Sequence, residues 1–451
     1  MGRCIFFLVQ LAKHVPLICI ALVRALPNPF SVLSWKAYER WLITYRFPAG
    51  TMGIVNDVNL AQEILKNKDG NFPKSRFIQA LLQPLIGQGL FGQPGGTEVQ
   101  RLRKSYYAAL REVSQQRVDD VAARLTREYL RCWQQEPQGF LAPLEFSRLA
   151  IDIVTECVFE RRFAPPQSLE FVKAFAQYNR SVNLVLLMHS SGTCEDLQPL
   201  VRNMGLVESG RVVRAHLRLC FVQPFWGENA LAHPPFYTKM LLHWQSSPQF
   251  VPGDSAAQEF LLDEIAVMVL AGHETTASVL SWIFWELSAP EQHAAYLQLV
   301  RDDGLEQAQD ALIDEGLRLF PPIGVYLRDT LCEVELRGKK FPQGSTLAVS
   351  PWTMHRHKSL WKSGREFSPE RWRKPMESVE PPTVGRNFLP YGSGNRVCPG
   401  NQFAQAEMRA ILRETLTVVQ PQRLTRQNPR PLGSMTTRPH IDFRLRLIPL
   451  D

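Results

Sequence analysis

The segment that most restricts the fold runs from about Ala256 to Leu287, AAQEFLLDEIAVMVLAGHETTASVLSWIFWEL. Read as one helix it is roughly 45 to 50 Å long at about 1.5 Å per residue, enough to cross a whole domain. Its middle is apolar on nearly every side, which places it in an interior. A chain of 451 residues, 45% apolar and 21% charged, has the material for such a core, and disorder is excluded. Yet the middle of this helix carries Ala271, Gly272, His273, Glu274, Thr275 and Thr276. A glycine, an acid and two hydroxyls at the centre of a buried helix require an explanation.

Helical patterns dominate elsewhere. GTMGIVND (50–57) reads as a strand entering a turn, followed by a helix over VNLAQEILKN. Residues 97–135 show helical periodicity with basic residues on the wet face, and 145–180 continue in that style. A helix after the central one ends where Pro321 and Pro322 stop it, and strand-like segments follow in VELRGKKFPQGSTLAVSPW. An irregular, Pro-rich stretch from about 360 to 390 then leads to LPYGSGNRVCPG and a last helix, NQFAQAEMRAILRETL. There is no internal repeat and no Gly/Ser linker, so the reading is a mainly α protein with small β-sheets.

The surplus of 51 Lys+Arg over 43 Asp+Glu gives a net charge of +8. No run of five or six like charges accompanies it and no nucleic-acid motif appears, so the excess is solvated surface or a docking face for an acidic partner. The eight cysteines form no CxxC pair, which argues against a disulfide framework, a zinc ribbon or a redox dithiol and suits a cytoplasmic setting. The first 30 residues are apolar but interrupted by Lys13, His14, Pro16 and Arg24. They read as a helix packed on the body or lying on a membrane surface, rather than a spanning anchor or secretory signal.

One cysteine stands apart. Cys398 lies in Tyr391-Gly392-Ser393-Gly394-Asn395-Arg396-Val397-Cys398-Pro399-Gly400, just before a helix N-terminus whose dipole and free N–H groups favour a thiolate. The glycines let the backbone bend tightly and approach a flat ligand. A nucleophile would want a partnered base, and zinc would want more ligands; a lone thiolate in a glycine-rich bulge suits an axial ligand to haem iron. The bland alternative is a buried structural cysteine.

Residues 391–400 resemble the haem-binding signature of the cytochrome P-450 superfamily, with Tyr391 where Phe is usual. Companion motifs follow in the family's order. Glu315-Gly316-Leu317-Arg318 resembles its ExxR pair, with Arg371 of Pro369-Glu370-Arg371-Trp372 as third member of a structural triad. Spacing i to i+3 puts Glu315 and Arg318 on one helix face, where an arginine from the irregular stretch can lock that stretch in place. Ala271 to Thr276 resembles the oxygen-activating segment, in which the glycine loosens the helix while Glu274 and Thr275 relay protons in an apolar pocket. His273 is read as packing only.

The resemblance implies a single haem domain over residues 41–451, with a long central helix over the haem and an N-terminal segment, 1–40, apart from it. It implies a stand-alone, bacterial-type monooxygenase holding haem b. Cys398 would ligate the iron; Tyr391, Gly392 and Gly400 would shape the cradle; Arg103, Arg328 and Arg396 would pair with the haem propionates. Val99 stands where a Trp or His commonly precedes the helical arginine, which weakens the Arg103 contact, and His355 is a further, weaker contact. Val267, Ala271, Ile323, Val325 and Met435 are the implied substrate-facing positions, for which core packing is the competing reading.

Their apolar character implies a hydrophobic substrate, with a terpenoid preferred over a steroid or fatty acid. No flavin or iron–sulfur motif appears, so electrons are expected from a separate ferredoxin or flavodoxin with its NAD(P)H reductase, docking on positive charge that includes Arg101, Lys104 and Arg111. The other expectations are O2 as co-substrate, no nucleic acid, a monomer, and a cytoplasmic location with peripheral membrane contact through the N-terminal segment as an option. Haem-thiolate isomerases, dehydratases and peroxygenases would keep Cys398 and the triad but usually lose the acid and threonine; a non-catalytic haem sensor is the third class.

Overall fold

The computed structural model describes residues 33–47, 50–190, 197–226, 231–373, 387–433, 435–440 and 442–450. The N-terminal segment read above therefore lies largely outside the described residues, as does part of the irregular stretch between 360 and 390.

In chain order the strands are β1 (Leu42–Phe47), β2 (Gly50–Val55), β3 (Phe140–Leu141), β4 (Tyr326–Asp329), β5 (Val334–Leu336), β6 (Lys339–Phe341), β7 (Thr346–Val349), β8 (Val419–Arg423), β9 (Pro431–Gly433), β10 (Thr437–Pro439) and β11 (Arg444–Pro449). The helices before the central one are α1 (Val58–Lys66), α2 (Arg76–Ile86), α3 (Thr97–Glu112), α4 (Gln115–Gln135), α5 (Ala142–Phe159), α6 (Pro165–Ser190), α7 (Leu197–Asn203), α8 (Leu206–Leu217) and α9 (Pro235–Gln245). The central helix is α10 (Asp254–Leu287), followed by α11 (Pro290–Asp303), α12 (Leu305–Leu319), a short α13 (Pro351–Met354) and α14 (Asn401–Leu416). The mainly α reading with small sheets holds.

The helical periodicity over 97–135 is carried by two helices. Val113 turns extended and the Ser114 side chain caps α4 by accepting from Arg117 N at 3.1 Å, satisfying a first-turn N–H that has no intrahelical partner. Likewise α5 ends at Glu160 in the left-handed region (φ 54°), and α6 restarts on Pro165.

The largest sheet has the order β1-β2-β7-β4. β1 and β2 form an antiparallel hairpin, β2 runs parallel to β7, and β7 pairs antiparallel with β4. A second sheet, β3-β11-β8, brings the chain end back beside α4 and α5, while β9 and β10 form a small hairpin against α10.

The 34 residues of α10 form the spine, packed against α2, α5, α8, α9, α12, α14, β8 and β10. The helix is long and apolar enough to cross a membrane, but 83% of its most apolar stretch is buried inside the protein, which identifies it as core. From Glu264 to Leu287, only Ala271, Gly272, Thr275 and Glu286 keep more than marginal exposure. Gly272 has a packing reason as well: a Cβ there would stand 2.7 Å from Val154 Cγ2 on α5, closer than atoms pack.

Candidate functional site

The cysteine loop is closed by its own backbone. Cys398 N donates to Tyr391 O at 2.9 Å, and a short turn over Gly394–Arg396 lies between. Gly394 is at φ 68°, and a Cβ there would lie 2.6 Å from Lys66 Cα, so α1 can sit against the loop only because the residue is glycine. Gly400 then opens α14. The Cys398 thiol is deeply embedded yet partly accessible, so it borders an internal space. Burial pushes its pKa up, while the Gly400 N–H and the Arg103 charge pull it down. Tyr326 of β4 lies near enough that the thiol's charge acts on its hydroxyl, and a Cβ at Gly392 would be 3.4 Å from the Tyr326 ring.

Four cations converge beside this loop from four parts of the chain. Arg103 of α3 donates to Val397 O and to Tyr107 Oη at 3.1 Å; Arg396 donates to Gln93 O at 2.9 Å; Arg328 of β4 donates to Leu327 O at 3.0 Å. Lys74 donates to Phe91 O, and its backbone bridges that of Arg328. Among the described residues, none of the four has a carboxylate partner. Burial lowers the pKa of Lys74, and the charges of Arg396 and Arg328 lower it further. Burial, then Arg328 and Arg103, brings Arg396 down to about 10. Partly desolvated cations without counter-charge are costly, and a ligand carrying two carboxylates would offset them. A buried thiol bordering an internal space and a dianion-seeking cluster fit the haem that the resemblance implies. Lys74 went unrecognised in the sequence, where a lone lysine outside any motif carries no signal.

On α10 the partly exposed residues Ala271, Gly272 and Thr275 share one face, so the helix opens to an internal space there alone between Glu264 and Thr276. Thr275 Oγ1 donates to Ala271 O at 2.8 Å, which occupies its proton and leaves its lone pairs free. Glu274 is buried, and burial raises its pKa, offset in part by Arg438, Thr436 and Asn179. His273 packs against Phe171 and Phe175 and bonds Val269 O through Nδ1 at 2.7 Å; burial lowers its pKa to about 4, so it is neutral. Thr276 donates to Glu407 Oε2 at 3.1 Å, which ties α10 to α14, the helix that begins at the cysteine loop.

The three triad positions meet. Arg318 contacts both carboxylate oxygens of Glu315 at 2.8 Å, and Arg371 Nε reaches Oε1 at 3.1 Å. Arg318 also donates to His355 O, at the end of α13, and to Gly364 O and Glu366 O, so one guanidinium ties the irregular stretch in two places to the helix before it. Trp372 Nε1 and Ser368 N add bonds to Glu315 at 2.9 and 2.7 Å. The weak expectation for His355 is not met by its contacts: its Nε2 accepts from Leu389 N at 3.0 Å, packing it beside Phe388.

Of the substrate-facing candidates, Ala271, Ile323, Val325 and Met435 are partly accessible. Thr437 N donates to Pro322 O at 2.7 Å and Ser278 Oγ to Thr437 O, so the β9–β10 hairpin, the 321–325 segment and α10 are held together. Val267 is 1% exposed and packs over Gly89, apart from that accessible set. Of the expected docking cations, Lys104 and Arg111 are exposed, while Arg101 is paired with Glu98 at 2.9 Å and bonded to Ser246.

A family model described as Cytochrome P450 matches residues 240–440. Protein LUTEIN DEFICIENT 5, chloroplastic, of Arabidopsis thaliana is 26% identical over 395 residues, 78% of this chain and 62% of that protein. Pentalenene oxygenase of Streptomyces avermitilis is 30% identical over 167 residues, 34% of this chain and 36% of that one. The match thus spans less than two thirds of the first relative and about a third of the second. The solved structure of CYP175A1 from Thermus thermophillus aligns with a TM-score of 0.70 at 22% identity, covering 95% of this chain and 97% of that one, which shows a common fold. With the fold common nearly end to end, and the matched segment holding both the Glu315–Arg318 pair and the Cys398 loop, the chain belongs to the cytochrome P450 superfamily.

Proposed function

We propose that the chain is a haem-thiolate monooxygenase that inserts one oxygen atom of O2 into a C–H or C=C bond of a hydrophobic small molecule. The other oxygen leaves as water, and two electrons and two protons are consumed. The observation that carries this reading is the pairing of the accessible interior thiol of Cys398 with four cations that lack carboxylate partners among the described residues. Cys398 would hold the iron; Lys74, Arg103, Arg328 and Arg396 would hold the propionates; Tyr391, Gly392 and Gly400 would shape the loop beneath. Haem held by a thiolate supplies the activation of O2.

The protein's own contribution is positional. Thr275, its proton committed to Ala271 O, offers a hydroxyl oxygen to the internal space and accepts a hydrogen bond there. Glu274, one residue before, is the buried acid that takes up and gives back protons. Ala271, Ile323, Val325 and Met435 exclude water and favour an apolar substrate. A terpenoid remains the preferred class, in keeping with the terpenoid-related relatives among the matches. Residues 41–451 form the haem domain in this reading, and electrons come from a separate ferredoxin or flavodoxin-like carrier and its NAD(P)H reductase.

The test is reconstitution with haem and such a carrier, measuring NAD(P)H-driven O2 consumption and oxygenated product from a terpenoid panel. The thiolate-type spectrum of the reduced carbon-monoxide complex is expected for the wild type and lost in Cys398→Ser. If that spectrum persists in Cys398→Ser, the assignment fails.

A further inference from the structure

Resting on the monooxygenase reading, we propose that Asn179 is a positioning residue for Glu274, holding its carboxyl in one place whether or not it carries a proton. The two side chains come from different helices and both are buried: Asn179 on α6 has no exposure, and Glu274 on α10 is 8% exposed. Asn179 Nδ2 donates to Glu274 Oε1 at 2.5 Å. The Oδ1 of the same amide is buried and, among the described residues, has no hydrogen-bond partner.

A buried carbonyl without a partner is a cost that needs a return. Half a turn of the amide exchanges Nδ2 for Oδ1 in the same space, because the two ends have nearly the same shape. In one orientation Asn179 donates to the carboxylate, and in the other it accepts from the carboxylic acid. Glu274 can then gain or lose a proton without losing its hydrogen bond and without moving. The platform is firm, since the neighbouring Tyr178 hydroxyl donates to Leu81 O of α2.

The surroundings leave Asn179 this task. Arg438 on β10 is the charge that acts on Glu274 among the described residues, and Thr436 of the same hairpin is the other polar neighbour. On α10 itself, His273 turns to Phe171 and Phe175 and is neutral. From α14, Glu407 faces Thr276 instead.

The test uses Asn179→Leu and Asn179→Asp, both close to asparagine in shape. Infrared titration of the Glu274 carboxyl C=O stretch, assigned by its loss when Glu274→Gln is added to each background, reads the protonation midpoint without haem or turnover. The midpoint should rise by about one unit or more in both variants, since leucine removes the N–H bond to the carboxylate, which is stronger than the bond the amide oxygen accepts from the neutral acid, and aspartate shares a proton with Glu274. In the haem-loaded protein, product formed per electron pair should fall roughly 10-fold and its pH profile should shift upward, with the substrate-induced haem spectral change retained. Should Asn179→Leu fail to fold, Asn179→Asp carries the comparison. An unmoved midpoint, or a moved midpoint with product per electron pair unchanged, overturns the proposal. A wild type without NAD(P)H-driven turnover sinks the monooxygenase reading instead, and the infrared arm still decides whether Asn179 governs Glu274.

Discussion

Arg318 grips Glu315 through two hydrogen bonds of 2.8 Å, and neither side chain has any solvent exposure. The pair is worth more in breaking than in making, because removing one member strands the other as a buried charge. Arg318→Ala should therefore lower stability by about 3–5 kcal/mol. It also releases His355 O, Gly364 O and Glu366 O at once, so denaturant unfolding and haem retention should suffer together. A variant that unfolds like the wild type would contradict this.

The cation cluster gives a prediction with two opposite signs. Lys74→Met removes a positive charge that burial and its arginine neighbours disfavour, so the haem-free chain should melt at a higher temperature than the wild type. The loaded protein should lose haem faster, on the order of 10-fold, as expected for a missing charge-assisted hydrogen bond. Transfer of haem to an apomyoglobin acceptor measures the second effect and calorimetry the first.

Glu264 makes stability depend on pH. It is buried, accepts from the Tyr106 hydroxyl at 2.7 Å and from Leu90 N at 3.2 Å, and burial raises its pKa to about 8. A carboxyl whose folded pKa lies above its unfolded value contributes stability that is complete below the unfolded pKa and lost as pH rises through the folded one. Stability should fall between about pH 4.5 and 8 in the wild type, and this slope should flatten in Glu264→Gln. Urea unfolding at pH 5 and pH 8.5 is the measurement.

Lys104 and Arg111 lie seven positions apart on α3, nearly two turns, and both are exposed. Reversing both to Glu should slow reduction by an acidic carrier about 10-fold at low salt, with the difference shrinking as salt is added. Stopped-flow reduction at two ionic strengths checks it, and equal rates at low salt would remove this face from the docking site.

Gly272 stands against Val154 with no room for a Cβ, which would come within 2.7 Å of Val154 Cγ2. Gly272→Ala should therefore destabilise by about 1–3 kcal/mol despite alanine's higher helix propensity. The paired change with Val154→Ala should restore most of that, as a double-mutant cycle would show.

The sequence made the central helix legible because its apolar run admits no exposed face, and it made the cysteine loop legible because glycine, arginine and cysteine at that spacing have few other uses. The triad was readable as a set of positions, while its three-carbonyl clamp was not, since backbone acceptors leave no trace in side-chain identity. Lys74 and Asn179 were invisible for a related reason. Each acquires its role from a partner distant in sequence, Arg328 for the one and Glu274 for the other. The corner at Val113 is marked in the sequence chiefly by the Ser114 cap, because helical periodicity runs almost continuously from α3 into α4.

A spine with almost no free face also bears on how such a protein can acquire a new substrate. Most side chains of α10 between Glu264 and Leu287 answer to neighbours on more than one side, so a change there that reshapes the interior also unsettles several other elements. The 321–325 segment and the Met435 hairpin approach it from one side and carry few such obligations. Libraries aimed at Ile323, Val325 and Met435 should therefore yield altered selectivity with far fewer dead variants than libraries of equal size aimed at the helix.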